Sequence, residues 1–194
     1  MRIIGGTHRG RRIQPPEGKL TTRPITDRVK QSLFDRLTSM QMLDGRVLDL
    51  FAGTGSLGLE ALSRGVESCT FVEIDRSALR GLRANLENLG LAERADVLAL
   101  DALRGSWLER SGGGPFQVVF CDPPYRLSGG GAASQAVERL IDALAPYRED
   151  DGLLVLRAQR ESQPPQVTRW EGPETHSYGS MSLHFYRPAL DDAP

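Results

Sequence analysis

The residues with the most chemistry in this chain stand in a row, Asp122-Pro123-Pro124-Tyr125. They follow directly on an apolar run, Phe116–Cys121. Two prolines after a strand fix a rigid extended turn with no N–H at either position. What remains are acceptors, the Asp122 carboxylate and the Pro123 carbonyl. Tyr125 adds a flat ring on which a base can stack. Acceptors beside a ring suit a planar amino group. Its lone pair is delocalised, and hydrogen bonds to its protons can hold it for attack. The plain alternative is a turn after a strand with no chemical role.

A second stretch is Val47-Leu48-Asp49-Leu50-Phe51-Ala52-Gly53-Thr54-Gly55-Ser56-Leu57-Gly58. Its glycines are spaced G-x-G-x-x-G between a strand pattern and a helix pattern. Gly53 and Gly55 let the backbone turn sharply and approach a ligand, and the helix start leaves free N–H groups. Alone the spacing is weak, because glycine turns also join strands to helices for purely structural reasons. The acids that follow strengthen it. Glu73 lies 15 residues past Gly58, near the place of a ribose-binding carboxylate. Asp101 could accept a hydrogen bond from an adenine amino group. Each acid singly could be a helix N-cap, Asp75 above all. Together they point to an adenosine-containing ligand. The absence of a Gly-Lys-Ser/Thr ending argues against a nucleoside-triphosphate site.

These groups must be carried by elements, and the patterning supplies them. Strands are expected at Arg46–Leu50, Ser68–Glu73, Ala95–Leu100, Phe116–Cys121 and Gly152–Arg157. Helices are expected from Thr26, after the glycine loop up to Gly65, over Ser77–Leu89, Ala102–Glu109 and Ala133–Ala145. Strand and helix alternation predicts a mainly parallel sheet covered on both faces. Val167–Trp170 and Ser180–Arg187, about Tyr178-Gly179, read as an antiparallel hairpin at the sheet edge. In such sheets ligands bind at the carboxyl ends of the strands, where Gly53, Glu73, Asp101 and Asp122 all fall. Residues 1–20 read as a hairpin or extended arm around a glycine-rich turn, broken after Pro15-Pro16 and Gly18. Ser111–Pro115 and Ser128–Gly131 read as loops, and Asp191–Pro194 as a loose tail.

Composition sets bounds. A chain of 194 residues with 39% hydrophobic content fits one domain with its own core. No apolar run reaches the roughly 20 residues that span a bilayer, and the first residues lack a signal-peptide core. Three scattered histidines and two cysteines give no zinc spacing, so no metal is expected. Cys69 and Cys121 sit in apolar runs and read as small buried hydrophobes, consistent with a reducing cytoplasm. The net charge of −1 is unevenly spread. The first 30 residues hold eight basic side chains against Glu17 and Asp27, leaving −7 on the other 164. A basic head suggests a polyanion partner, although a solvated arm has the same composition.

With Asp49-Leu50-Phe51-Ala52-Gly53-Thr54-Gly55, Glu73, Asp101 and Asp122-Pro123-Pro124-Tyr125 in view, the chain resembles Rossmann-like S-adenosylmethionine-dependent methyltransferases that act on exocyclic or amide nitrogens. The head narrows this. Met1-Arg2-Ile3-Ile4-Gly5-Gly6, Arg9-Gly10-Arg11 and Thr22-Arg23-Pro24-Ile25-Thr26-Asp27-Arg28-Val29-Lys30 resemble the RsmD family, which methylates N2 of a guanine in small-subunit (16S) ribosomal RNA. The likeness runs from Met1 to about Arg187. It implies a seven-stranded sheet with an antiparallel carboxyl-terminal edge hairpin. It also implies three parts: an RNA-contacting arm (1–25), the methyltransferase domain (26–188) and a tail (189–194).

The resemblance implies roles as well. Asp49, Phe51, Gly53, Thr54 and Gly55 would hold S-adenosylmethionine, with Asp49, Gly53 and Gly55 at its methionine part. Glu73 would bind the ribose, Ile74 would lie beside the adenine, Asp101 would sit by the adenine amino group, and Ala102 would also line the cofactor site. Asp122 and Pro123 would bind the guanine amino group and Tyr125 would stack on the base. Arg2, His8, Arg9, Arg11, Arg12, Arg23, Arg28 and Lys30 would meet RNA of the 30S particle. A monomer with no membrane partner is expected. Rival readings are a nicotinamide oxidoreductase, which has no use for Asp122-Pro123-Pro124-Tyr125, and methyltransferases of DNA adenine or protein glutamine. A non-catalytic ribosome-assembly factor is another.

Overall fold

A computed structural model describes residues 1–15, 25–105, 107–108, 114–127 and 132–189. Arg23, Gly18, Ser111–Gly113, Ser128–Gly131 and Asp191–Pro194, singled out above, lie outside the described residues.

Among the described residues seven strands form one sheet: β1 (Arg46–Leu50), β2 (Ser68–Glu73), β3 (Ala95–Ala99), β4 (Phe116–Cys121), β5 (Arg148–Gln159), β6 (Trp170–Tyr178) and β7 (Met181–Pro188). Their order is β3-β2-β1-β4-β5-β7-β6. The first five are parallel, and β7 runs antiparallel to both β5 and β6. This is the Rossmann-like methyltransferase arrangement. Strand order reverses between β1 and β4, and that reversal opens a crevice at their carboxyl ends. Among the described residues four α-helices cover the sheet: α1 (Asp27–Ser39), α2 (Ser56–Arg64), α3 (Arg76–Leu89) and α4 (Ala132–Leu144).

Local chemistry explains the boundaries. Thr26 caps α1 by accepting from the Val29 N–H, and Asp75 caps α3 by accepting from the Ala78 N–H. α3 stops at Gly90 and α2 at Gly65, each in the left-handed conformation. One face of the sheet packs Leu59, Leu62 and Phe71 with Phe34 of α1. The other packs Leu48, Leu50 and Val119 with Ile141 and Leu144 of α4. Both cysteines are buried and free. No described helix is long and apolar enough to cross a membrane.

Most boundaries fall within two residues of the sequence reading, and three elements differ by more. β5 starts at Arg148 instead of Gly152, because a register shift lets Arg148 pair with Phe116 although Glu149-Asp150-Asp151 carry no apolar signal. The strand expected at Val167–Trp170 is β6, which begins at Trp170 and runs to Tyr178. β6 is an edge strand with mostly polar, accessible side chains, and its pairing with β7 through the backbone leaves no hydrophobic alternation to read. Among the described residues after Asp101, Ala102–Arg104 is helical, as a single 3-10 turn ending at Gly105 in the left-handed region; Glu109, the expected end of a helix here, lies outside them.

The amino-terminal arm is a hairpin closed by an antiparallel bridge between Arg2 and Arg12. It is fastened to the body. Ile3 and Ile13 are buried in the core. The Ile4 and Gly5 N–H groups donate to the two oxygens of Glu60 at 2.8 Å each.

Candidate active site

The crevice has two walls. The first is the loop after β1. Asp49 is 2% exposed, and its Oδ2 accepts the Gly58 N–H at 2.9 Å. A carboxylate beneath a helix N-terminus is electrostatically favoured there. Burial nevertheless pushes the Asp49 carboxyl well up, against the Gly58 hydrogen bond, with Asp122 and Glu73 adding repulsion. Gly53 and Gly55 both have positive φ, at 58° and 84°. A Cβ on Gly55 would also lie 2.5 Å from Leu82, whereas one on Gly53 would meet nothing within 4 Å. Gly53 therefore leaves room for a ligand. The third glycine works differently: a Cβ on Gly58 would sit 2.3 Å from the Phe71 ring, so its absence lets α2 lie against β2.

Glu73 ends β2 and closes this wall. Its Oε2 accepts the Gly53 N–H at 2.7 Å, and its Oε1 accepts the N–H groups of Ile74 and Asp75, both at 2.8 Å. One carboxylate thus ties the glycine loop to the β2 end. Ile74 beside it is 63% exposed, a large apolar side chain left uncovered at the rim. Thr54 is buried, and its carbonyl accepts from Asn85 Nδ2 at 3.1 Å. Phe51, with φ of 57°, packs on the α4 face of the sheet. Asp101 accepts the Leu103 N–H at 3.0 Å and lies 3.6 Å from Arg104. Ala102 has its side chain in the core, and its carbonyl accepts from Trp107.

The second wall is the turn after β4. β4 pairs with β1 with Cys121 opposite Leu50, and the Asp122 N–H donates to the Leu50 carbonyl at 3.3 Å. Asp122 therefore stands beside the glycine loop. Its Oδ2 accepts from an Arg157 guanidinium nitrogen at 2.7 Å. Its Oδ1 is buried and has no hydrogen-bond partner among the described residues. A buried acceptor without a donor costs about 1–3 kcal/mol. Burial pushes the Asp122 carboxyl up to about 6, opposed by Arg157. The Tyr125 hydroxyl is likewise buried without a partner among the described residues. Arg157 also stands 5.8 Å from the centre of the Tyr125 ring. Pro123 is buried between these residues in the chain.

Arg157 escaped the sequence reading, which took it as the last residue of a strand. The available signal was a cation at the carboxyl end of Leu153-Leu154-Val155-Leu156, the same sheet edge as the acids. Asn85 also went unread. It accepts the Gln14 N–H and donates to the carbonyls of Gln14 and Thr54, so it joins arm and glycine loop.

The basic residues divide. Arg2, Arg9, Arg11, Arg12 and Arg28 are exposed and His8 is half-buried. Arg2 pairs with Asp27 at 2.7 Å and Arg11 donates to the Asn88 carbonyl at 2.8 Å. Arg2, Arg9 and Arg28 line a cleft of about 320 Å³ between arm and α1. Lys30 corrects the sequence reading. It is 1% exposed, lies 3.2 Å from Glu60 and donates to the Arg2 carbonyl at 2.6 Å. Its position on the inner face of α1 turns its charge to holding the arm.

These residues fit S-adenosylmethionine. The open side of Gly53, the uncovered Ile74 and the Glu73 carboxylate line one wall, and the unpartnered Asp122 oxygen lies on the other. Among the described residues no three metal-ligating side chains cluster.

Comparison with known proteins agrees with this arrangement. The family model described as "Conserved hypothetical protein 95" matches residues 1–187. YlbH of Bacillus subtilis (strain 168) is 38% identical over 195 residues, covering 96% of this chain and 98% of its own. Ribosomal RNA small subunit methyltransferase D of Escherichia coli (strain K12) is 35% identical, covering 96% of this chain and 89% of its own. A solved hypothetical protein of Thermus thermophilus superposes with a TM-score of 0.78 at 33% identity, over 95% of this chain and 98% of its own. On the extent of these matches, the chain belongs to the Conserved hypothetical protein 95 family, the RsmD family that includes ribosomal RNA small subunit methyltransferase D.

Proposed function

We propose that this protein transfers a methyl group from S-adenosylmethionine to the exocyclic N2 amino group of a guanine in small-subunit ribosomal RNA, within an assembled or assembling particle. The names of its relatives support ribosomal RNA as the substrate class. The observation that carries the reading is the buried Oδ1 of Asp122, left without a donor beside the glycine loop. An amino group supplies the donor that this acceptor lacks.

The glycine loop at Gly53 and Gly55, with Asp49 beneath it, would hold the methionine part of the cofactor. Glu73 would hold the ribose, and Ile74 and Asp101 would flank the adenine. When bound, the cofactor supplies an electrophilic methyl group on a sulfonium. The protein's own contribution is then orientation and exclusion of water. Asp122 accepts a hydrogen bond from the amine and turns its nitrogen toward the cofactor wall. Tyr125, with one face taken by Arg157, offers a ring to the base. A guanine amino group is not reachable in a stacked helix, so the base comes from a loop or is flipped out. Exposed Arg2, Arg9, Arg11, Arg12 and Arg28 attract phosphates without regard to sequence.

The test is transfer of labelled methyl to small-subunit RNA that lacks the modification. Naked RNA, assembled subunits and a protein extract are compared, and the product is digested to nucleosides. Label in N2-methylguanosine is expected. Label confined to protein would contradict the reading and favour a glutamine substrate.

A further inference from the structure

One cation touches both chemical groups of the Asp122–Tyr125 turn. The β4–β5 register sets Cys121 opposite Leu156, so the next residues, Asp122 and Arg157, meet at the carboxyl ends of the two strands. The Arg157 side chain is 3% exposed. It donates to Asp122 Oδ2 at 2.7 Å and lies over the Tyr125 ring at 5.8 Å, within cation–π range. A planar guanidinium does both with separate parts, an N–H edge for the carboxylate and a flat face for the ring, whereas an ammonium must serve both from one nitrogen.

We propose that Arg157 is the positioning residue of this site: it holds the Asp122 carboxylate by one oxygen and the Tyr125 ring by its face, and so fixes the acceptor and the stacking surface that receive the amine. The inference rests on the reading above that Asp122 binds an amino group. Its chemical content is specific. With Oδ2 committed to Arg157, the substrate amine is met by Oδ1. The amine proton becomes acidic only once the methyl group is bonded to nitrogen, so Asp122 serves first as an orienting acceptor and the proton then leaves to water. Among the described residues, the other titratable groups packed about Asp122 include Asp49 on β1, Cys121 on its own strand and Tyr125 on the following turn. Arg157 is the partner that opposes burial and favours the ionised carboxylate.

The experiment uses the full chain with Arg157→Gln and Arg157→Lys. Two readings are taken: the titration of Asp122, followed by carboxyl infrared spectroscopy and assigned with Asp122→Asn, and the pH profile of kcat. In Arg157→Gln the Asp122 midpoint is expected to rise above its wild-type value. kcat at pH 7 should fall about a hundredfold, the cost of a misplaced reacting group. Part of that loss should return at higher pH, and affinity for S-adenosylhomocysteine should hold. Arg157→Lys keeps the charge but loses the fork, so its midpoint stays near wild type while kcat recovers only in part. An unmoved midpoint in Arg157→Gln, or wild-type kcat in either variant, overturns the proposal. If Arg157→Gln does not fold, wild-type kcat in Arg157→Lys still does so. Failure of the wild-type protein to methylate any RNA would sink the substrate reading instead, and the Asp122 titration would still decide whether Arg157 governs that carboxylate.

Discussion

The two walls of the crevice are built on opposite terms. On the β1–β2 side the polar groups are satisfied from within. Asp49 takes the Gly58 N–H, and Glu73 takes three backbone N–H groups from two segments. On the β4–β5 side, Asp122 Oδ1 and the Tyr125 hydroxyl are buried without partners among the described residues. Saturated acceptors make a scaffold whose shape is set before a ligand arrives. Unsatisfied ones, expensive to bury, make a site that gains most when a donor enters. Under the proposed function, the first wall binds the cofactor by its shape and the second recognises the amine.

The comparison can be broken most severely at Asp122. Asp122→Asn replaces one acceptor oxygen with a donor and should lower the rate of methyl transfer about a thousandfold, as for loss of a key transition-state contact. A rate within tenfold of wild type would remove Asp122 from the reaction. The wild-type profile carries a related expectation. The Asp122 carboxyl sits near 6, above its usual 3.8, so its negative charge is lost as pH falls through about 6. kcat should therefore drop on the acid side of that value. A flat profile down to pH 5 would show that its ionised form is not needed.

A smaller effect is expected beneath the first wall. Gly58→Ala drives a methyl group to within 2.3 Å of Phe71 and 2.6 Å of Cys69. Overpacking of this kind costs about 1–3 kcal/mol, measurable as a lowered urea midpoint. Unchanged stability would mean that the α2–β2 contact is looser than described. Glu73→Gln turns an amide donor toward backbone N–H groups. It should weaken S-adenosylhomocysteine binding about tenfold, or ~1.4 kcal/mol. The mildest effect belongs to the arm. Replacing Arg9, Arg11 and Arg12 together should lower the salt slope of RNA binding by about two. No change in slope would leave the arm a structural clamp held by Glu60 and Lys30.

The sequence made the scaffold legible where chemistry and periodicity coincide. β1, β2 and β4 were placed residue for residue, because each is a short apolar run, β1 leading into the glycine loop and β2 and β4 ending at an acid. The hairpin edge was harder. β6 carries Glu171, Glu174 and His176 on accessible positions, and its pairing is a backbone matter invisible to hydrophobic pattern. The site was legible as a set of residue types, from Gly53 to Tyr125. Partnerships across the sheet were not. Nothing local to Arg157 announces Asp122, 35 residues earlier, since their contact follows from strand order and register. Lys30 misled for the same reason: it is one of eight charges in a basic head, and only the path of the chain shows that Glu60 lies beneath it.

If the two walls hold separate functions, a substitution on one must leave the other's ligand untouched. Calorimetric titration of S-adenosylhomocysteine into wild type, Asp122→Asn and Glu73→Gln tests this most directly. Asp122→Asn is expected to bind as wild type does, while Glu73→Gln binds about tenfold more weakly. Equal loss of affinity in both variants would contradict the division, and would make Asp122 part of the cofactor site.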